Sequence, residues 1–138
     1  MRLLVRDVMK GPVVTIRPED TVWQALELMA SQDIGAVVVA DGLTPLGIIT
    51  ESDVVRALTN KGLSVLDLLT TRAGDLMSRP LNTCSPDDPL AEAVRLMVEK
   101  RIRRVPVVEG GRLVGIVTER DCLRALHQLL VREETNLG

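Results

Sequence analysis

Apolar residues follow two alternating rhythms along this chain. Val22, Ala25, Leu26 and Met29 recur at intervals of three and four, as do Leu90, Ala93, Val94 and Met97. That spacing predicts one apolar helix face in each stretch. After each helix come two short, continuously apolar runs: Ala36 to Ala40 and Leu46 to Thr50, then Val105 to Val108 and Leu113 to Thr118. Asp41-Gly42 and Gly110-Gly111 divide the runs, which read as paired strands covered on both faces and joined by turns. The β-branched segment Val13-Val14-Thr15-Ile16, with Leu81 to Cys84 as its counterpart, predicts a further strand ahead of each helix. Pro18 and Asp20 open the first helix, and Asp88-Pro89 reads as an N-cap followed by proline at the first helical position. A last helix starts at Thr50 or Thr118, where Val54, Val55 and Leu58 correspond to Cys122, Leu123 and Leu126.

Strand, helix, strand, strand, helix is thus written twice, and the two copies are related in detail. Displaced by 68 residues, Asp7 to Leu58 falls on Asp75 to Leu126 without a gap, and 21 of the 52 positions are identical. Such a repeat decides the architecture. The expectation is an α/β (α+β) protein of two β-α-β-β-α repeats, 7–58 and 75–126. A connecting segment, 59–74, carries a short helix around Ser64 to Leu69, and 127–138 forms a C-terminal tail. One copy has too little to cover its sheet, so the repeats are expected to pack by pseudo-twofold symmetry. Two related clefts for a ligand would lie between them.

Composition narrows the classes of function. Trp23 is the one aromatic residue, with no Phe or Tyr, so the chain lacks the aromatic platform that single-stranded nucleic acid stacks on. A net charge of −2 also makes a general nucleic-acid binder unexpected. No apolar run approaches the ~18 residues of a membrane span, and Arg2 and Arg6 interrupt the N-terminus too early for a secretory signal. Cys84 and Cys122 have no zinc spacing and His127 has no evident co-ligand, so no metal site is expected and a reduced, cytoplasmic setting is. There is no Cys–His pair, no glycine-rich phosphate loop with a lysine and no nucleophile beside a base, so the chain is not expected to be an enzyme.

What remains is the strand-to-helix corner of each repeat, Thr50-Glu51-Ser52-Asp53 and Thr118-Glu119-Arg120-Asp121. A Thr at the N-cap with an acid three residues on resembles a capping box, which stabilises the helix with or without a ligand. The same carboxylate can accept hydrogen bonds from a cis-diol, and free amides at the helix start favour phosphate. Arg101, Arg103 and Arg104 are either a solvated charge run or phosphate ligands. On an alternating strand Arg103 and Arg104 face opposite ways. Cys84 and Cys122, in place of Ile16 and Val54, read as small core residues. Trp23, in place of Ala91, is either a partly exposed ring or part of an oligomer interface.

The ordered set of motifs resembles the cystathionine β-synthase-type (CBS) domain. It comprises Asp7-Val8-Met9, Thr15 and Gly47-Ile48-Ile49-Thr50-Glu51-Ser52-Asp53, then Asp75-Leu76-Met77, Arg104-Val105-Pro106-Val107-Val108 and Gly115-Ile116-Val117-Thr118-Glu119-Arg120-Asp121. The likeness extends from about residue 6 to 127. It implies a tandem pair, or Bateman module, that binds AMP, ADP, ATP or S-adenosylmethionine and regulates another protein, with no cofactor required. In the family the corner Asp holds the ribose hydroxyls. Carried over, one site combines Thr50 and Asp53 with Thr83, Arg103 and Arg104. The other combines Thr118 and Asp121 with Thr15, Gly35, Ala36 and Val37, and Arg120 stands near its helix start. The first would then favour phosphorylated ligands, and the second would tolerate an uncharged tail or stay empty. The resemblance also implies a homodimer with Trp23 near the contact. The rival expectation is a protein-interaction or dimerisation module whose clefts hold no nucleotide.

Overall fold

In the computed structural model, which describes residues 2–137, the chain forms two compact units. One is continuous, Val13–Leu81; the other joins the N-terminal segment as far as Pro12 to everything from Asn82 onward.

The continuous unit runs β1 (Thr15–Ile16), α1 (Val22–Gln32), β2 (Ala36–Asp41), β3 (Thr44–Thr50), α2 (Glu51–Thr59), a 3-10 turn (Leu66–Leu69) and α3 (Ala73–Leu76). Its sheet has the order β1-β2-β3, with β1 parallel and β3 antiparallel to the central β2. Central β2 is buried from Ala36 to Ala40, as its unbroken apolar run requires, whereas edge strand β3 alternates. Ile16, Val22, Ala25, Met29, Val37, Val39, Ile49 and Val54 form the core, closed from the connecting segment by Leu68, Ala73 and Leu76.

The composite unit contributes a 3-10 turn at Val5–Asp7, then α4 (Leu90–Lys100), β4 (Arg104–Glu109), β5 (Arg112–Thr118) and α5 (Glu119–Leu137). Strands β4 and β5 pair antiparallel. Val5, from the N-terminal segment, enters the core with Leu90, Ala93, Met97, Val105, Val107, Val117 and both cysteines. Burial pushes the Cys84 thiol up to about 12 and raises that of Cys122, so both behave as the core residues expected of them.

The leader of each sequence repeat therefore lies in the unit built around the other repeat. Lys10 pairs by backbone with Ile116 of β5, Lys10 N–H to Ile116 O and Ile116 N–H to Lys10 O, both 3.0 Å. At the equivalent place in the continuous unit, Ser78 N–H donates to Ile48 O (2.8 Å) and Ile48 N–H to Ser78 O (3.2 Å). A Cβ on Gly115 would stand 2.8 Å from Met9 Sδ, and one on Gly47 would stand 2.6 Å from Met77 Sδ. Each glycine is the gap into which a leader methionine packs.

Four local expectations change. The first helix is capped by Thr21 in a reciprocal pair with Gln24, because Asp20 is taken by the preceding turn, where it accepts from Arg17 N–H at 2.9 Å. Asp88 likewise accepts from Ser85 N–H at 2.8 Å, which leaves Pro89 at the N-cap of α4. The first strand of the second repeat shrinks to one parallel bridge, Cys84 to Val107. Asn82 replaces the β-branched Val14 there, and Cys84 replaces the β-branched Ile16. Finally, α5 carries on through the expected tail for 19 residues where α2 has 9. Chain direction changes after α2 at Gly62, at φ 71°, and its counterpart in α5 is the ordinary helix former Leu130.

Candidate functional site

The two corners are built alike around a buried acid. Strand β3 ends at Thr50 in extended conformation, and α2 begins at Glu51. Thr50 N–H donates to Asp53 Oδ2 (2.8 Å) and Asp53 N–H returns a bond to Thr50 Oγ1 (3.2 Å). In the composite unit Thr118 N–H donates to Asp121 Oδ2 and Asp121 N–H to Thr118 Oγ1, both 3.1 Å. Both corners are therefore complete capping boxes. Each is also stitched to the strand before it: Glu51 N–H donates to Gly35 O (3.0 Å) and Glu119 N–H to Arg103 O (2.8 Å).

The second oxygen distinguishes the corners. Asp53 Oδ1 accepts from Ser78 Oγ–H (2.9 Å) and from Arg56 Nη2 (2.5 Å), an i,i+3 pair on α2. Asp121 Oδ1 instead faces Lys10 Nζ at 3.0 Å. Lys10 and Ser78 hold equivalent positions in the two repeats, as do Arg56 and Arg124, so equivalent acids receive different cations by different routes. The side chains of Asp53 and Asp121 are 6% and 5% exposed, while those of Arg56 and Lys10 are 56% and 63% exposed. Burial pushes the Asp121 carboxyl up, but the Lys10 ammonium and the bonds from Thr118 outweigh it and hold the group below the usual carboxylate range.

Of the residues expected at a site, the continuous unit holds Thr15, Gly35, Ala36, Val37, Thr50 and Asp53. The composite unit holds Thr83, Arg103, Arg104, Thr118, Arg120 and Asp121. Each expected set thus draws on both units. Within one unit, the ladder sets Arg104 opposite Thr118 and Ala36 opposite Thr50. Arg103 is exposed and Arg104 half-buried. Charge follows the same division: the composite unit has 12 basic and 10 acidic residues, a net +2, and the continuous unit has 5 and 9, a net −4. Among the described residues, no three His, Cys, Asp or Glu side chains gather as a metal site. No helix there is long and apolar enough to cross a membrane.

Sequence reasoning missed Lys10, Ser78 and Arg56. An arginine one turn after an acid on a helix is a visible pairing signal. Lys10 and Ser78 have no such signal, because each is written in the leader of one repeat and acts on the acid of the other.

Comparison with known proteins agrees with this architecture. The chain is 36% identical over 135 residues to an uncharacterized protein of Methanopyrus kandleri, covering 96% of this chain and 67% of that one. It is 34% identical over 125 residues to an uncharacterized protein of Methanocaldococcus jannaschii, covering 88% of this chain but only 42% of that longer relative. Among solved structures, the CBS domain pair of protein MJ0100, in complex with 5′-methylthioadenosine and S-adenosyl-L-methionine, superposes with a TM-score of 0.81 at 26% identity. The match covers 93% of this chain and 98% of that one. CBSX2 in complex with AMP gives 0.79 at 28% identity, over 91% and 97% of the two chains. The family model of the CBS domain matches twice, at residues 5–60 and 73–128. With the repeat, the paired corners and these likenesses together, the chain belongs to the CBS domain family and carries two CBS domains in tandem.

Proposed function

We propose that the chain is a regulatory, non-catalytic module that senses AMP, ADP, ATP or another adenosyl ligand, with Asp53 and Asp121 accepting the ribose hydroxyls. One observation carries this reading. Each acid is almost fully buried with its Oδ2 committed to the capping box; Oδ1 is held by side chains that include an exposed cation, Arg56 of the same helix for Asp53 and Lys10 of the N-terminal segment for Asp121. A purely structural cap needs one oxygen and a backbone N–H. A buried carboxylate with a replaceable partner on its other oxygen suits an acceptor that exchanges a side chain for a ligand hydroxyl. Two structures of related CBS proteins, with AMP and with 5′-methylthioadenosine and S-adenosyl-L-methionine, support adenosine as the common element.

In this reading the module acts in the cytoplasm on a protein partner, and it does so as a homodimer. Ligand binding favours one conformation over another by its difference in affinity for the two. Thermal unfolding across AMP, ADP, ATP, S-adenosylmethionine and adenosine tests the proposal. A ligand at 100 times its Kd stabilises by about 2.7 kcal/mol, which raises Tm by several degrees. No shift with any of the five, at millimolar concentration, would leave a protein-interaction module with no nucleotide as the reading to adopt.

A further inference from the structure

We infer that Lys10 is a specificity-determining residue: it sets the Asp121 corner to take adenosyl ligands that carry negative charge and to disfavour neutral ones. The inference rests on the reading that Asp121 accepts ribose hydroxyls, and it begins from which partners of that acid can leave. Thr118 N–H and Asp121 Oδ2 form half of the capping box that starts α5, so releasing that bond costs the helix its cap. Lys10 Nζ, 3.0 Å from Oδ1 on a side chain 63% exposed, can. With Asp121 itself only 5% exposed, a ligand hydroxyl reaches Oδ1 by displacing or crowding the ammonium.

The backbone of Lys10 does not travel with its side chain, because both its N–H and its C=O are bonded to Ile116. The ammonium therefore swings on a fixed anchor and stays near the corner, as a flexible point charge. When a neutral adenosyl ligand arrives, the ammonium loses its carboxylate, and the nearly buried carboxylate loses its counter-charge. An anionic ligand gives the displaced ammonium a new partner in its own phosphate, through a charge-assisted hydrogen bond. Without Lys10, that phosphate would instead meet the unneutralised charge of Asp121. The Asp53 corner lacks this device, since Ser78 occupies the equivalent position and the cation, Arg56, comes from the same helix as the acid.

The test is calorimetry with AMP and with adenosine, in an Asp53→Asn background that leaves Asp121 as the one corner carboxylate. The comparison is between Lys10, Lys10→Met and Lys10→Arg, each checked for its melting transition. Lys10→Met is expected to weaken AMP about tenfold and to leave adenosine within about twofold, while Lys10→Arg retains the preference for AMP. Lys10→Gln serves the same comparison if the Met variant does not fold. Equal changes for both ligands, or none, would overturn the inference and leave the proposed function standing. So would loss of all binding in the Asp53→Asn background alone. If the unmodified chain binds neither AMP nor adenosine, the inference falls, and the proposed function falls with it only if ADP, ATP and S-adenosylmethionine also fail to bind.

Discussion

Asp53 and Asp121 each serve two purposes that chemistry allows to coexist. Oδ2 closes the capping box, and Oδ1 accepts from a side chain. Asparagine keeps a carbonyl oxygen for the cap but loses the charge, so the substitution separates the roles. Asp53→Asn and Asp121→Asn should preserve the fold and weaken an adenosine-containing ligand at the altered corner by about 1.5–3 kcal/mol, as for hydrogen bonds to charged groups. Titration of adenosine against 2′-deoxyadenosine checks this independently. If the acids hold the diol, the deoxy compound binds more weakly to the parent and the difference shrinks in the Asn variants. Equal affinity for the two in the parent chain would remove the diol from the argument. The Thr-x-x-Asp pattern made these acids readable from sequence. The Lys10 partner of Asp121 Oδ1 is not legible in the sequence, because the two residues are separated by nearly the whole chain and only the fold brings them together.

Elements were read well where one local cause dominates. Strand β2 follows from its unbroken apolar run and the buried faces of α1 and α4 from their spacing, except that Val94 is exposed and Leu96 packs against the core instead. The helix starts were misplaced because Asp20 and Asp88 had a competing use, the turn three residues earlier, and a side chain that prefers local backbone bonds serves whichever N–H lies nearer. The leaders provide the sharpest test at this scale. A Cβ on Gly47 would lie 2.9 Å from Ser78 O as well as against Met77, whereas one on Gly115 meets backbone only at 3.2 Å, at Lys10 O. Methionine can turn aside, but a backbone carbonyl held by the Ile48 N–H cannot. Gly47→Ala is therefore expected to destabilise by about 2 kcal/mol or more and Gly115→Ala by about 1 kcal/mol, within the usual range for overpacking. Urea unfolding of the two variants measures the order, and the reverse order would mean that the leaders are not held as described.

At the scale of the whole chain, the repeat was visible at once and its exchange of leaders was not. Asp7-Val8-Met9 and Asp75-Leu76-Met77 are so alike that either methionine would satisfy either glycine, so no local preference in the sequence says which unit each leader joins. In the fold the second leader belongs to the continuous unit, and the N-terminal segment completes the other. Several large apolar side chains are exposed on the helices of the two units. Trp23 on α1 is 42% exposed, and Val98 on α4 and Leu123 and Leu130 on α5 are more exposed still, at 73%, 61% and 66%. Leu123 and Leu130 lie two turns apart and so share one face of α5, and Trp23 is a large apolar ring at a position where the other repeat has Ala91. Monomers rarely expose large contiguous apolar patches, and aromatic residues are enriched where subunits meet. The expected outcome is a homodimer with Trp23 at or near the contact. Light scattering at tens of micromolar should give twice the mass of the 15.1 kDa chain, and Trp23 fluorescence should shift to the red as dilution separates the subunits. A chain that scatters as a monomer at that concentration, with unchanging Trp23 emission, would show that these side chains remain in water and that the module works alone.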